Sequence, residues 1–230
     1  MLSSDQIESL FAFCRQHFVY YYDVQIELVD HLANAIEAEM LNDPKISFEK
    51  ALKKIHESFG LFGFAPLVAE KEKMALRQSR KIFWTIFKEQ FTWPKILTFF
   101  LLMLGMFTIF SKEPFLIKWT APALIIIGWP FYLSGIIRFQ RRIKKTGKRF
   151  LMENISWVTS FILIPSYFAN FPNSFKSEII PDYSASVGLI LFYSTLLSVY
   201  IVLIVAISQT LSLVTNSLHK TYPEVFSVTD

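Results

Sequence analysis

The longest apolar stretch of the sequence, Ser186–Val214, constrains the fold more than any other feature. It reads SVGLILFYSTLLSVYIVLIVAISQTLSLV and contains no charged side chain. A helix crosses the roughly 30 Å hydrocarbon core of a bilayer with about 20 predominantly apolar residues, because each residue adds about 1.5 Å. This stretch therefore predicts a membrane-spanning helix.

Three further apolar stretches come before it in the chain. The chain is 53% hydrophobic and 18% charged, with 24 phenylalanines and a mean hydropathy of +0.38, whereas a typical soluble domain carries about 25% charged residues. We therefore predict an all-α integral membrane protein with four transmembrane helices, preceded by a small cytoplasmic helical domain. The predicted spans are residues 96–110, 115–137, 150–171 and 186–214.

Basic residues predict which side of the membrane each connection occupies. Segment 138–149 has seven Lys and Arg residues and no acid, whereas the connections 111–114 and 172–183 carry only Lys112 and Lys176. The positive-inside rule then places segment 138–149 and both termini in the cytoplasm.

The same basic segment predicts contact with an anionic inner leaflet, at about 1 kcal/mol per basic residue near the surface. Nucleic acid is not an expected partner, because these charges lie beside predicted spans, where insertion topology already requires them. The predicted headgroup contacts are Arg138, Arg141, Arg142, Lys144, Lys145, Lys148 and Arg149.

Charge also divides the chain into regions. Residues 1–66 have a net charge near −5 and the remainder near +9. In the segment before the first span, Ile82, Phe83, Ile86 and Phe87 form an apolar stripe typical of a helix that lies on a membrane surface. The predicted regions are an acidic cytoplasmic helical domain (1–78), an amphipathic interfacial linker (79–95), the transmembrane domain (96–214) and a cytoplasmic tail (215–230).

Helix-capping residues punctuate the acidic domain. Ser3 with Gln6 predicts a capping box at the start of a first helix. Ser47 predicts the start of a later helix, and Gly60 predicts its end.

The helix predicted over residues 21–40 gathers polar side chains on one face, opposite an apolar face that includes Val24, Leu28 and Leu32. This polar face is either solvated or a docking face for a basic cytosolic protein. The chain's own segment 138–149 is the nearest basic alternative. The predicted interaction face consists of Asp23, Glu27, Asp30, Asn34 and Glu37.

Three residues of the acidic domain are weak candidates for a metal site: Glu27, His31 and His56. Glu27 and His31 are four residues apart and could share an ion, with His56 approaching from the next helix. Di-metal helical bundles repeat a Glu-x-x-His unit, which this chain lacks. The single cysteine, Cys14, excludes an internal disulfide and a Cys-based zinc site. We therefore predict no metal, cofactor or catalytic residue, and interpret the chain as a non-enzyme.

These features favour a membrane-anchored regulatory or interaction protein. The alternative is a component of a transporter or channel, in which the hydroxyl-bearing residues of positions 193–200 would form a polar seam. No ionisable residue falls near the middle of a predicted span, which disfavours ion-coupled transport. The sequence leaves the oligomeric state open.

About the first 75 residues resemble the small cytoplasmic domain called HAAS, found at the N-terminus of many bacterial multi-span membrane proteins. An acid-rich helix (DVQIELVDHLANAIEAEM), a helix ending in glycine (SFEKALKKIHESFG) and a further short helix (FGFAPLVAEKEK) carry the resemblance. It implies a bacterial inner-membrane protein with a sensing or scaffolding role, paired with a PadR-like transcriptional regulator. The resemblance implies no catalytic residues.

Overall fold

The structure, a computed structural model, describes residues 1–153 and 187–227. These residues form helices and no β-strand, which confirms the all-α prediction for them. The third predicted span, 150–171, lies almost entirely outside the described residues. The helices are α1 (Ser4–Gln16), α2 (Tyr22–Asn42), α3 (Phe48–Ser58), α4 (Ala65–Glu89), α5 (Lys95–Lys112), α6 (Ile117–Lys145), α7 (Val187–Thr221) and α8 (Pro223–Phe226), with 3₁₀ turns at Pro114–Leu116 and Leu151–Glu153.

The described chain forms two compact units. The first unit contains residues 1–78 and a later segment, 143–153. The second unit contains residues 79–142 and 187–227. The helices α4 and α6 each contribute residues to both units.

Local capping starts the helices of the first unit, as the sequence predicts. The Gln6 backbone N–H donates to Ser3 Oγ at 3.3 Å, and the Ser3 N–H donates to Gln6 Oε1 at 2.8 Å, so the predicted capping box is confirmed. Ser47 Oγ accepts from the Lys50 N–H at the start of α3. Gly60, just beyond α3, has a φ of +77°, a conformation that glycine adopts without steric cost.

Apolar side chains of α1, α2 and α3 form the core of the first unit. The predicted apolar face of α2 is buried, with Val24, Leu28 and Leu32 each no more than 2% exposed. Burying an aliphatic side chain of this size contributes about 1.5–3 kcal/mol relative to leaving it exposed. The buried core consists of Leu10, Cys14, Val19, Val24, Leu28, Val29, Leu32, Ile36, Ala51, Leu52 and Phe64.

Residues 146–153 complete the first unit, and here the structure differs from the sequence-based division. The expected loop is helical as far as Lys145, because Phe139 and Ile143, both buried and four residues apart, continue the apolar stripe of α6. A turn at Gly147 follows, with a φ of +64°. Phe150, expected to begin a membrane span, is fully buried, and Leu151 packs against the core of the first unit.

In the second unit, α5 and α7 pack in antiparallel directions. Phe110, near the end of α5, lies in one apolar cluster with Ile190 and Leu197, near the start of α7. At the other end, Gln90 Nε2 donates to Gln209 Oε1 at 3.0 Å. The beginning of α5 is therefore level with the region of α7 around residue 209.

Within residues 1–153 and 187–227, α5 and α7 are the two helices that are long and apolar enough to cross a membrane, so the structure supports two of the four predicted spans. The 18 residues of α5 rise by about 27 Å, close to the thickness of a hydrocarbon core. The 35 residues of α7 rise by about 52 Å, so this helix is longer than one crossing requires. Its C-terminal part, with α8, occupies much of the region predicted as a tail, and Val225 and Phe226 are buried.

The predicted interfacial linker is the second half of α4. Its apolar stripe is confirmed as one face of the helix, since Arg80, Lys81 and Lys88 are exposed. Phe83 is fully buried and Ile86 is 8% exposed, so these two side chains pack against the protein and are not presented to a membrane surface.

Candidate functional site

Two residues of the acidic face of α2, Glu27 and Glu37, contact other parts of the first unit. Glu27 accepts two hydrogen bonds from Lys71 Nζ of α4, at 2.5 and 2.7 Å. Glu37 Oε1 accepts from the Leu2 backbone N–H at 2.7 Å and lies 3.8 Å from the N-terminal ammonium group. Asp30 and Asn34 remain exposed, and Asn34 Nδ2 donates to Asp30 Oδ2 at 3.4 Å. The part of the face left for a partner is therefore centred on Asp30 and Asn34.

Asp23, at the start of α2, binds the returning segment. Its carboxylate accepts from the Leu151 N–H at 3.1 Å and from the Val24 N–H at 3.1 Å. Burial raises the pKa of Asp23, and these backbone donors partly oppose that shift. The Tyr22 N–H donates to the Arg149 carbonyl at 2.7 Å, and Lys148 Nζ lies 4.8 Å from the centre of the Tyr22 ring. Segment 148–151 thus contacts the acidic helix chiefly through its backbone.

Tyr21, which precedes α2, contributes a second polar link in the first unit. The carboxylate of Glu72 of α4 lies near its hydroxyl. Burial, together with this nearby carboxylate, raises the pKa of Tyr21 to about 12. The phenol therefore stays protonated at neutral pH.

The candidate metal ligands have separate surroundings. Glu27 is paired with Lys71, and His31 is exposed on α2. The imidazole of His56 lies among aromatic rings, with centroid separations of 5.1 Å to Phe13 and 5.1 Å to Phe64. Within residues 1–153 and 187–227, no group of three or more His, Cys, Asp or Glu side chains is arranged to hold a metal ion.

His56 and His17 form a close histidine pair that the sequence did not predict. Their ring centroids are 4.3 Å apart, and His17 Nδ1 is 2.9 Å from the Phe13 carbonyl oxygen. His56 Nε2 is buried without a hydrogen-bond partner among the described residues. Burial first, and then the neighbouring His17, lower the pKa of His56. These surroundings favour the neutral imidazole of His56 in the folded protein.

Basic side chains predicted to contact headgroups are exposed along the last turns of α6 and the turn that follows. Arg138 is held along its own helix, because its Nε donates to the Ser134 carbonyl at 3.1 Å. Neither Arg138 nor Arg142 forms an ion pair with a carboxylate in the described part of the chain. Arg138 Nη2 also lies 3.4 Å from Ser134 Oγ, which leaves Nη1 of Arg138 and the guanidinium of Arg142 to meet an anion.

A cavity of about 230 Å³ lies between α6 and α7, beside these two arginines. On the α7 side its polar lining comes from Ser208, Ser212 and Thr215. These residues follow a spacing of four and then three positions, which puts them on one helix face. Sequence reasoning missed them because they lie at the end of the longest apolar stretch. The complete lining is Gly135, Arg138, Phe139, Arg142, Ser208, Leu211, Ser212 and Thr215.

The predicted polar seam of the fourth span bonds to its own helix. The hydroxyl of Ser194 donates to the Ile190 carbonyl at 2.7 Å, and that of Ser198 donates to the Ser194 carbonyl at 2.8 Å. The Thr195 hydroxyl likewise donates to the Leu191 carbonyl. These groups satisfy their donors within α7, as hydroxyls in apolar helices commonly do.

The described residues thus define an all-α protein with a helical unit that has its own core and with two helices able to cross a membrane. Comparison of the chain with protein-family models, with curated proteins and with solved structures returned no match. The resemblance to HAAS domains stays a prediction that rests on the quoted residues.

Proposed function

We propose that this chain is a multi-pass integral membrane protein that acts as a regulatory or interaction module, with its first unit on the cytoplasmic side. In this proposal four helices cross a bacterial inner membrane, and both termini lie in the cytoplasm. No catalytic step is assigned to it.

The exposure of α5 is the observation that carries the membrane part of the proposal. Only 6% of this apolar helix is buried inside the protein. Its exposed side chains include Phe100, Leu101 and Leu104, each at least 50% exposed. The core helix of a soluble protein would be mostly buried, because exposing this much apolar surface to water is unfavourable. Lipid is the environment that matches such a helix.

The location of basic residues supports the proposed orientation. Arg141, Arg142, Lys144 and Lys145 are exposed at the end of α6, and a positively charged connection is retained on the cytoplasmic side. Trp93 is 76% exposed just before α5, where tryptophan commonly marks the boundary between lipid and water.

The exposed part of the acidic face supports an interaction role for the first unit. Asp30 and Asn34 lie on a helix whose opposite face is buried in the core, so they are presented on a fixed surface. A basic cytosolic protein is the chemically matched partner for this surface.

Membrane integration is tested by washing cell membranes with alkaline carbonate and locating the full-length chain. We expect it to remain in the membrane pellet until detergent is added. Recovery of the chain in the carbonate supernatant would exclude transmembrane insertion.

The interaction role is tested with the detergent-purified full-length chain as bait. The full chain is required because Phe150 and Leu151 complete the first unit. We expect retention of a cytosolic protein that Asp30→Arg abolishes, while the control Glu8→Arg, on the exposed side of α1, retains it. Equal retention by both variants, or no retention by the wild type, contradicts the role of this face.

A further inference from the structure

We propose that the cavity between α6 and α7 is a binding site for a phosphate group, held by Arg138 and Arg142 and by the hydroxyl groups of Ser208 and Ser212. The inference rests on the proposed membrane location and goes beyond it, because it assigns a ligand chemistry to a defined site.

The two arginines supply the charge that such a ligand needs. They are four residues apart on α6, so both project from the same face of the helix. No acidic residue lines the cavity, and no carboxylate of the described residues neutralises either guanidinium. Guanidinium groups bind phosphate oxygens through paired, charge-assisted hydrogen bonds. Two unneutralised arginines at one cavity therefore favour a phosphate anion over a neutral ligand.

Hydroxyl groups on the facing helix supply further donors. Ser208 and Ser212 are exposed, and neither hydroxyl has a hydrogen-bond partner among residues 1–153 and 187–227. This contrasts with Ser194 and Ser198 on the same helix, whose hydroxyls are already bonded to backbone carbonyls. A hydroxyl without an internal partner is free to donate to an oxyanion in the cavity.

The size of the cavity suits a phosphate group. One water molecule takes up about 30 Å³ in the liquid, so a volume of about 230 Å³ has room for a phosphate and neighbouring water. The helices stay close beside it, since a Cβ at Gly135 would lie 3.8 Å from Leu211 Cδ1. The cavity is thus a space between α6 and α7 that is partly open to its surroundings, so a ligand can enter it.

The level of the cavity in the second unit indicates where the ligand comes from. Ser208 and Ser212 lie on either side of Gln209 in the sequence. Gln209 accepts a hydrogen bond from Gln90, a residue five positions before the start of α5. In the proposed topology this level is the cytoplasmic interface, where lipid phosphates lie. Basic pockets between helices at this side of a membrane bind anionic headgroups. A lipid phosphate and a free phosphate share the same recognition chemistry, so the experiment must separate them.

The test titrates the detergent-purified full-length chain with three probes: short-chain phosphatidylglycerol, phosphatidylcholine of equal chain length, and inorganic phosphate. Binding is followed by native mass spectrometry and by the shift in the thermal unfolding midpoint. We expect phosphatidylglycerol to bind and stabilise most. The double variant Arg138→Gln/Arg142→Gln should weaken binding roughly tenfold or more, since each charge-assisted bond contributes more than a neutral one.

Two further variants make the test specific to the cavity. Arg141→Gln removes the same charge from an exposed position that does not line the cavity, and should leave binding unchanged. Ser212→Leu fills the cavity without changing the charge, and should weaken binding. Inorganic phosphate could bind as well as phosphatidylglycerol and depend on the same residues. That result would support the site and assign it to a free phosphate.

The proposal is overturned if none of the probes binds, or if the double variant binds like the wild type. It is also overturned if Arg141→Gln weakens binding as much as the double variant does. If the chain still requires detergent for extraction, any of these three outcomes would reject the phosphate site but not the membrane location. Recovery of the chain without detergent would instead reject the proposed membrane location.

Discussion

Gln25 is a polar residue on the apolar face of α2, and the structure gives it a specific task. It is 4% exposed, and its Nε2 donates to the Val19 carbonyl at 2.6 Å. Val19 lies in the connection between α1 and α2, so its carbonyl does not accept a hydrogen bond within a helix. Gln25 therefore satisfies a buried acceptor in this connection.

Replacing Gln25 by leucine should destabilise the first unit by about 1–3 kcal/mol, because the Val19 carbonyl would lose its buried donor. The thermal unfolding midpoint of the full-length chain, followed by circular dichroism in detergent, measures the effect. Gln78→Leu, at an exposed position of α4, is the matched control and should change stability by less than about 0.5 kcal/mol. Equal effects of the two variants would contradict the assigned role of Gln25.

His56 makes the stability of the first unit dependent on pH. Because burial lowers its pKa in the folded state, the unfolded chain binds a proton at a higher pH than the folded chain does. The contribution of His56 to the stability of the first unit is then fully present above the ordinary histidine pKa of about 6.5. This contribution is lost as the pH falls below that value.

The variant His56→Phe keeps an aromatic ring beside Phe13 and Phe64 but cannot be protonated. We expect it to lose less stability than the wild type between pH 7.5 and pH 5.5, as judged by the unfolding midpoint at each pH. His31→Gln, which alters an exposed histidine, should keep the wild-type pH dependence. A wild-type midpoint that does not fall over this range would contradict the account.

At the scale of elements, the contact between Asp23 and the 3₁₀ turn at Leu151–Glu153 joins the start of α2 to a segment far along the chain. The residue supplies an acceptor oxygen for the Leu151 N–H, whereas its charge is costly in this partly buried position, as its raised pKa shows. The acceptor and the charge can be separated by substitution.

Asp23→Ala should release segment 148–153 and increase its cleavage by protease, because the Leu151 N–H loses its acceptor. Asp23→Asn keeps an acceptor oxygen and removes the charge, so it should protect the segment as well as the wild type does. Because the pKa of Asp23 is raised in the folded state, the wild type loses stability as the pH rises above the ordinary aspartate pKa of about 3.9. Asp23→Asn carries no titrating group at this position, so its stability should fall less over the same pH range. Equal cleavage of all three chains would contradict the anchoring role.

The sequence predicted the start or end of a helix correctly where a single capping residue determines it. Ser3, Ser47 and Gly60 act through the backbone groups next to them, so their effect is visible in a few residues of sequence. The apolar stripe of α2 was predictable for the same reason, since Val24, Leu28 and Leu32 follow the helical repeat.

The helical end of α6 and the return to the first unit were harder to predict. Arg and Lys read as a loop by composition, although both are good helix formers. The signal that could have revealed the helix was the spacing of Ile136, Phe139 and Ile143. The Phe150 ring contacts Tyr22, more than a hundred residues away in the chain, and no local pattern specifies a contact of that range. The cavity depends on two facing helices, so it too required the structure.

At the scale of the whole molecule, Cys14 makes the proposed topology directly testable. It is the only cysteine and is fully buried, and burial raises the pKa of its thiol to about 11. The thiolate is the reactive form, so the wild-type chain should give almost no reaction with a maleimide at neutral pH.

Single cysteines can therefore be placed in the wild-type background. We expect Glu113→Cys, in the exposed connection after α5, to react with an impermeant maleimide added to intact cells. Lys145→Cys, at the end of α6, should react only after the membrane is opened. Labelling of Lys145→Cys in intact cells would show that the orientation is reversed.

The burial of Phe150 in the first unit sets an order of events during biosynthesis. When the first 78 residues leave the ribosome, Phe150, which contacts Tyr22, and Leu151, which packs against their core, have not yet been translated. Given the proposed topology, the hairpin of α5 and α6 enters the bilayer before Phe150 emerges. The N-terminal helices therefore reach their final state only after that insertion. A first unit that lacks segment 148–151 is open to proteases and chaperones whenever the hairpin fails to insert.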